Sequence, residues 1–551
     1  MRTLDWVVLV GSLIAIVSYG LYKSRGAATV NNYLLADKTM PWWAMALSIM
    51  ATQVSAVTFI STTGQSYVDG MRFVQFYFGL PVAMVILSAT AVPIFHRAGV
   101  YTAYEYLEKR FDSKTRALAS VIFLIERGVG VGIALYAPAI VLAVIFGWPD
   151  QVTTFIMGAL VIFYTVLGGI QAVTWTDVQQ MLIIFFGMLV AVVMVIVLLP
   201  GDVSLMDALF VAGKASKLTA VDLKFDLNNR YNVWSGLIGG AFLALAYFGC
   251  DQSQVQRYLT GKSITQSKLS LLFNAVAKVP MQFFILFVGA MVFVFFIFER
   301  PPLLFEAPAM RKLETVSAYP AVQSRFERAF QSRRDAAGSL IAAHRASDPQ
   351  KEVTSIADFR AAQKDLDSVR REAGAMVDKD FDDTNYIFLS YVTKYLPAGI
   401  VGLVIAVIFA AAMSTISGEI NSLATVTVID IYKRHLHHGG SDRHYLMASR
   451  LATAFWGLYA VVFAQFGRNL GSLIEAINRL GSLFYGSLLG VFTLAFFFPR
   501  VGGTGAFIGM IAGEAAIFAA FLFTGMSFLW YNVIGCVVVV CTGLLFPRME
   551  K

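Results

Sequence analysis

The stretch AAAMSTISGEINS, residues 410–422, puts Ala411, Ser414 and Thr415 at i, i+3 and i+4, on one face of a helix. A dehydrated Na+ is a hard cation and needs several oxygens at close range. Hydroxyls at this spacing, joined by carbonyls that a broken helix sets free, supply them without a full countercharge. Such a site binds and releases its ion within one cycle. Ser and Thr in apolar helices also bond back to carbonyls one turn earlier, so both roles stay open here. Glu419, one turn beyond Thr415, is the most unusual charge in the chain.

Other ionisable residues sit inside apolar blocks, where they count as functional candidates. Asp177, in GGIQAVTWTDVQQ, either ligands a cation or caps a helix start. Lys278, in NAVAKVPMQ, is too deep to reach the surface easily. It meets an anionic or hydroxylated solute, or it pairs with Glu126 or Glu419. Glu126 and Arg127 are adjacent and able to neutralise each other. His435, His437, His438 and His444 gather near Lys433 and Arg434, in a loop that is solvated, headgroup-facing or metal-binding. The chain has no phosphate-binding glycine loop, no dinucleotide fingerprint and no Ser-His-Asp arrangement. An enzyme, a cofactor or coupling to ATP therefore has no support, and an ion gradient is the remaining energy source.

The elements that position these residues are set by composition. Of 551 residues, 57% are hydrophobic and only 14% charged, against roughly 25% charged in soluble domains. Mean hydropathy is +0.67. The apolar residues form blocks of about twenty, the length of a membrane-crossing helix. Runs such as MLIIFFGMLVAVVMVIVLL do not alternate, which excludes barrel strands. Thirteen transmembrane helices are expected, over 4–22, 42–66, 73–96, 117–146, 152–169, 175–199, 232–251, 269–298, 388–430, 446–467, 471–498, 504–524 and 526–547. The ninth starts with a short external piece before Leu396. The first block has no small-residue cleavage site and reads as a retained helix. Cys250, Cys536 and Cys541 suggest neither a disulfide framework nor a zinc site.

The net charge of +8 is explained by loops between apolar blocks, not by nucleic-acid binding. Lys and Arg collect on one side: Lys23, Arg25 and Lys38; Arg97, Lys109, Arg110, Lys114 and Arg116; Arg257, Lys262 and Lys268; Lys433, Arg434, Arg443 and Arg450; Arg500; Arg548 and Lys551. The positive-inside rule then sets the N-terminus outside and the C-terminus in the cytoplasm of a plasma or inner membrane. Residues 300–385 are charged, with apolar positions at helical spacing, and read as an external helical insertion. It divides a membrane domain into 1–299, with helices 1–8, and 386–551, with helices 9–13.

Two segments look built to break. The second contains ATQVSAVTFISTTGQ, and the seventh carries Gly236, Gly239, Gly240 and Gly249. They open two groups of five helices, which is the logic of an inverted repeat around a transport site. Small residues also serve close helix packing.

With these residues in view, the chain resembles the sodium:solute symporter family. The resemblance rests on SIMATQVSAVTFISTTGQSY, LYAPAIVL, GGIQAVTWTDVQQ, DQSQVQRYLTGKS, AAAMSTISGEINSLATVTVIDIY and GGTGAFIGMIAG, in family order across nearly the whole chain apart from the insertion. It implies an all-α, LeuT-like core of five plus five inverted helices with flanking helices. It implies Na+ held by the carbonyls of Ala51, Val54 and Ala411 and the hydroxyls of Ser414 and Thr415. Asp177 matches a family aspartate near a sodium site or exit path. Some members hold a second Na+ with two further adjacent serines. Here those positions read Ser417-Gly418, so one hydroxyl is missing, although Asp177, Ser414 and Ser417 are present.

The implied solute pocket lies beside the second segment, with Gln53, Ser55, Thr58, Tyr247 and Lys278 as candidates. Sugar-carrying members resemble each other in a Glu-Gln pair that reads Val57-Thr58 here, which speaks against a sugar. The QVSAVTF wording is similar to the iodide, monocarboxylate and multivitamin branch, so a small organic or inorganic monoanion is preferred. The expected function is Na+-coupled symport by alternating access within a lipid bilayer. A sugar or amino-acid substrate, H+ coupling and a membrane sensor are the alternatives. The oligomeric state is not legible.

Overall fold

The computed structural model describes residues 2–23, 29–466 and 471–547. Arg25, Arg548 and Lys551, used above for orientation, lie outside the described residues. The regular elements among the described residues are helices, joined by turns and two isolated bridges.

Those that matter for the site are α1 (Thr3–Lys23), α2 (Trp42–Gln53), α3 (Ala56–Asp69), α4 (Ser113–Phe146), α5 (Asp150–Val197), α6 (Gly240–Gly249), α7 (Gln252–Leu259), α8 (Ile264–Phe298), α9 (Tyr319–Arg345), α10 (Pro349–Ala375), α11 (Ile387–Tyr395), α12 (Ile400–Val426), α13 (Leu473–Ser482) and α14 (Tyr485–Phe497). Among the described residues, eight helices are long and apolar enough to cross a membrane, and counting each of the bent pairs α2–α3 and α13–α14 as one span brings the number to ten. Three shorter apolar helices, Gln151–Leu167, Ser235–Gly249 and Leu529–Leu544, stand where the remaining expected segments fall. The chain is a multi-pass membrane protein.

α12 is the spine. Its residues are buried almost without interruption from Val401 to Val426, and it packs against α1, α2, α4 and α5. A helix buried on every face has no lipid stripe to orient it, so its polar residues must find partners inside the bundle. The expected external piece before Leu396 is α11, set off from α12 by Gly399 at φ +85°.

The breaks lie where the sequence is richest in small and polar residues, with one difference. The second segment bends by 55° between α2 and α3, at Val54 and Ser55. The seventh does not break at Gly236, Gly239 or Gly240. Those glycines form a π-helical turn and its junction with α6. A Cβ at Gly236 would meet the Gln75 carbonyl at 1.9 Å, and one at Gly240 the Phe76 carbonyl at 2.5 Å. Their smallness serves close packing. The break comes at Cys250, and Asp251 starts α7 by accepting from the Ser253 N–H at 2.8 Å.

In the insertion, α9 and α10 form two paired 27-residue helices joined by a short turn. Its underside is fastened to the membrane core. Arg333 is fully buried and donates to the Phe296 carbonyl at the end of α8. Arg345 pairs with Asp207 at 2.6 Å.

Candidate functional site

The site forms where the break of the second segment faces the middle of α12. Val54 donates its N–H to the carbonyls of Met50 and Ala51, at 3.1 and 3.2 Å, which closes the end of α2. Ser55 is extended, at φ −78° and ψ 169°, and its side chain does not cap α3. Helix ends leave carbonyls and amides without intrahelical partners, and here two such ends meet in the protein interior.

The structure brings part of the expected sodium set together. Thr415 Oγ1 donates to the Thr52 carbonyl at 3.0 Å, tying α12 to the break beside Ala51. Ser414 Oγ donates instead to Asp177 Oδ1 at 2.5 Å. Neither hydroxyl bonds back to its own helix, whereas Ser417 Oγ does, to the Ser414 carbonyl at 3.1 Å. Ala51, Val54 and Ala411 are fully buried around these contacts.

Asp177 is not a helix cap. The fifth and sixth segments run on as α5, interrupted at Gly169 with φ +58°, and Asp177 lies two turns past that kink. It is fully buried, and both its oxygens are engaged. Ser48 Oγ donates to Oδ2 at 2.5 Å, and Arg257 Nη1 reaches the same oxygen at 2.9 Å. Arg257 was counted above among loop cations, yet it is 1% exposed and held by Asp177 and Ser48. Arg116 departs in the same way, buried against Asp430 at 2.6 Å and Glu108 at 2.7 Å. Hydropathy windows count such arginines with the loops, because the paired residue lies far along the chain.

Directly beside the break is a cavity of about 110 Å³. All five pocket candidates line it: Gln53, Ser55, Thr58, Tyr247 and Lys278. Gln53 Nε2 donates to Asn274 Oδ1 at 3.3 Å, and the Tyr247 hydroxyl accepts from Gln254 at 2.8 Å. Thr58 Oγ1 donates to the Gln53 carbonyl at 3.3 Å, across the break. Lys278 is 1% exposed, and its ammonium has no hydrogen-bond partner among the described residues. It lies 5.4 Å from the centre of the Tyr77 ring.

The expected partners of Lys278 are engaged elsewhere. Glu419 Oε1 accepts from Arg127 Nη1 at 2.9 Å, and Glu126 lies 3.5 Å from the same guanidinium. Arg127 also pairs with Asp251 and touches the Tyr485 hydroxyl. The Glu126–Arg127 pair is therefore one part of a buried cluster of three carboxylates around one guanidinium. Glu126, Arg127, Glu419 and Thr415 share the cavity wall with the candidates. Asp251, Arg257 and Tyr485 were not singled out from sequence. The available signal was DQSQVQR, a polar run set directly after a glycine-rich apolar block.

A family model described as the sodium:solute symporter family matches residues 33–312 and 367–513. A sodium/sialic acid symporter of Aliivibrio fischeri is 27% identical over 556 aligned positions, covering 100% of this chain and 94% of the relative. A sodium-dependent multivitamin transporter of Oryctolagus cuniculus is 28% identical, covering 92% and 69%. Among solved structures, the substrate-bound, outward-open state of a Na+-coupled sialic acid symporter superposes with a TM-score of 0.76 at 24% identity, covering all of both chains. That likeness fixes the fold, an all-α LeuT-like membrane fold, while the site rests on the residues above.

Proposed function

The chain belongs to the sodium:solute symporter family, and on that premise we propose that it carries a small solute bearing an anionic group inward together with Na+. The observation that carries the solute half is Lys278, a buried ammonium in the cavity wall without a hydrogen-bond partner among the described residues. A buried charge left unpaired is costly, and an anionic group arriving in the cavity offsets that cost. The volume suits a solute of about six heavy atoms, since a cavity of roughly 150 Å³ holds benzene. One relative is named for transport of an acid, sialic acid, which accords with this reading.

The sodium half rests on the meeting of α12 with the broken second segment. Na+ takes the Ala51, Val54 and Ala411 carbonyls and the Ser414 and Thr415 hydroxyls. Thr415 then gives up its hydrogen bond to the Thr52 carbonyl and turns its oxygen to the ion. The ion pins α12 to the break, which organises the adjoining cavity and raises solute affinity. The coupling is reciprocal, so solute raises Na+ affinity equally. Asp177 and Ser417 lie next to this site. With Arg257 already on Asp177, a second Na+ has no unneutralised carboxylate to meet there. One Na+ moves per cycle. The N-terminus is outside and the C-terminus cytoplasmic, so the insertion lies on the external face.

The test is uptake into proteoliposomes with and without an inward Na+ gradient, over short monocarboxylates, inorganic anions, amino acids and sugars. Na+-driven uptake is expected only for probes with an anionic group. Lys278→Met lowers it about tenfold or more, the scale of one charge-assisted hydrogen bond. Uptake of a sugar, or uptake that follows a proton gradient and ignores Na+, would overturn the proposal.

A further inference from the structure

Two acids of the cavity wall, Glu126 and Glu419, belong with Asp251 to a cluster that holds more acid than its cations can serve. Arg127 meets Glu126 Oε1 at 3.5 Å, Glu419 Oε1 at 2.9 Å and Asp251 Oδ2. The Tyr485 hydroxyl lies among them with one proton, and it donates to Asp251 Oδ2 at 3.1 Å. The second oxygens of Glu126 and Glu419 are left buried with no hydrogen-bond partner among the described residues. Both residues line the cavity, and both are about 2% exposed. Lys278 does not serve them, because its ammonium is itself without a partner.

Three carboxylates thus stand against two cations, Arg127 and Lys278. A buried acceptor that is left unmade costs the whole desolvation of the group, more for a charged one. A plain anion that satisfied Lys278 would leave the carboxylate excess where it is and add another negative charge beside it. A solute with a positively charged donor at its other end satisfies both. The walls are separate: Lys278 comes from α8, while Glu126 and Glu419 come from α4 and α12.

The geometry points to a zwitterionic solute, a small amino acid whose carboxylate meets Lys278 and whose ammonium meets the free oxygens of Glu126 and Glu419. The inference rests on the proposal that Lys278 receives the anionic group. It adds a second, cationic specificity element that a transporter of plain monoanions would not need.

The experiment uses the full chain in proteoliposomes under an inward Na+ gradient, with probes matched in carbon skeleton. These are propionate against alanine and β-alanine, butyrate against 2-aminobutyrate and 4-aminobutyrate, and propylamine as the purely cationic control. At least one amino acid is expected to enter about tenfold to a hundredfold faster than its plain acid, the range of hydrogen bonds to charged groups. Glu419→Gln collapses that preference. Glu126→Gln serves as the second variant, because Glu126 stands farther from Arg127, at 3.5 Å against 2.9 Å for Glu419. Plain acids entering as fast as the amino acids would overturn the inference and leave the Lys278 reading standing. A preference for amino acids that survived both Gln substitutions would also overturn it. Preferred uptake of propylamine, or uptake of no probe, would overturn it together with the anionic reading.

Discussion

Asp177 and Arg257 form a fully buried ion pair at 2.9 Å, and Gly418 on α12 is what makes room for it. A Cβ at Gly418 would stand 2.1 Å from Arg257 Nη2. Gly418→Ala is therefore expected to push the guanidinium off Asp177 and Ser48, at a cost of about 1–3 kcal/mol for overpacking. An expanded loss, approaching the 3–5 kcal/mol of a broken buried pair, follows if the contact is lost outright. Thermal unfolding of the protein in nanodiscs measures this. Stability equal to the unsubstituted protein would show that Arg257 has another place to go.

Thr415 carries a second expectation. Its hydroxyl reaches the Thr52 carbonyl, so the residue spans the break whether or not an ion lies between. Thr415→Val keeps the shape and removes the oxygen. The half-saturating Na+ concentration is expected to rise about tenfold, the scale of one lost charge-assisted contact. Thermal stability without Na+ falls by only about 1 kcal/mol, the net worth of a neutral hydrogen bond. Na+ titrations of uptake, set beside unfolding curves, separate the two effects. An unchanged Na+ dependence would remove Thr415 from the ion site.

The apolar blocks and the break of the second segment were legible because they depend on local composition, on about twenty apolar residues in a row and on a run of small hydroxyl residues. The charge network was not legible, because its partners are distant. Arg127 and Glu419 are 292 positions apart, and Asp177 and Arg257 are 80 apart. A window that reads Arg257 as a loop cation has no means of seeing Asp177. The glycines of the seventh segment misled for a related reason. Glycine marks both a break and a close approach, and only the neighbouring Gln75 and Phe76 carbonyls decide between them.

The face that carries the insertion has a pH dependence. Lys217, in the loop beneath the insertion, donates to the Val68 carbonyl and lies 4.5 Å from the Phe293 ring centre. Burial pushes its ammonium down from the usual lysine range to about 8, with Asp367 and Asp69 opposing. Below that pH the folded and unfolded chains are both protonated, and the fold bears the desolvation. Between about 8 and the unfolded value near 10.4, the folded chain releases its proton while the unfolded chain keeps it. Lys217 therefore contributes a stability that rises with pH across this window. The unfolding temperature of Lys217→Met should lack that part of the rise. Identical pH slopes in the two proteins would show that Lys217 stays charged.

Asn385, where the insertion returns to the membrane core, links the insertion to the start of α13. Its Nδ2 donates to the Gly471 carbonyl at 2.8 Å, and its Oδ1 accepts from the Leu473 N–H at 3.4 Å, so it grips the start of α13. One residue away, Ser61 on α3 bonds Ser472 Oγ at 3.1 Å and accepts the Ile474 N–H at 3.0 Å. Ile474, Ile477 and Asn478 of α13 wall the cavity. Parting α13 from α3 would open the cavity on this side, and both grips oppose that parting. Asn385→Ala removes two hydrogen bonds, about 1–3 kcal/mol together, and shifts the balance toward the parted state about fivefold to a hundredfold. A cysteine placed at Ile474, a buried residue of the cavity wall, reports the change, because parting α13 from α3 raises its exposure to a membrane-impermeant thiol reagent. Faster labelling in the Asn385→Ala background, with Na+ and solute absent, is the expected outcome. Labelling at the same rate would mean that the insertion is fastened beside the cavity without restraining it.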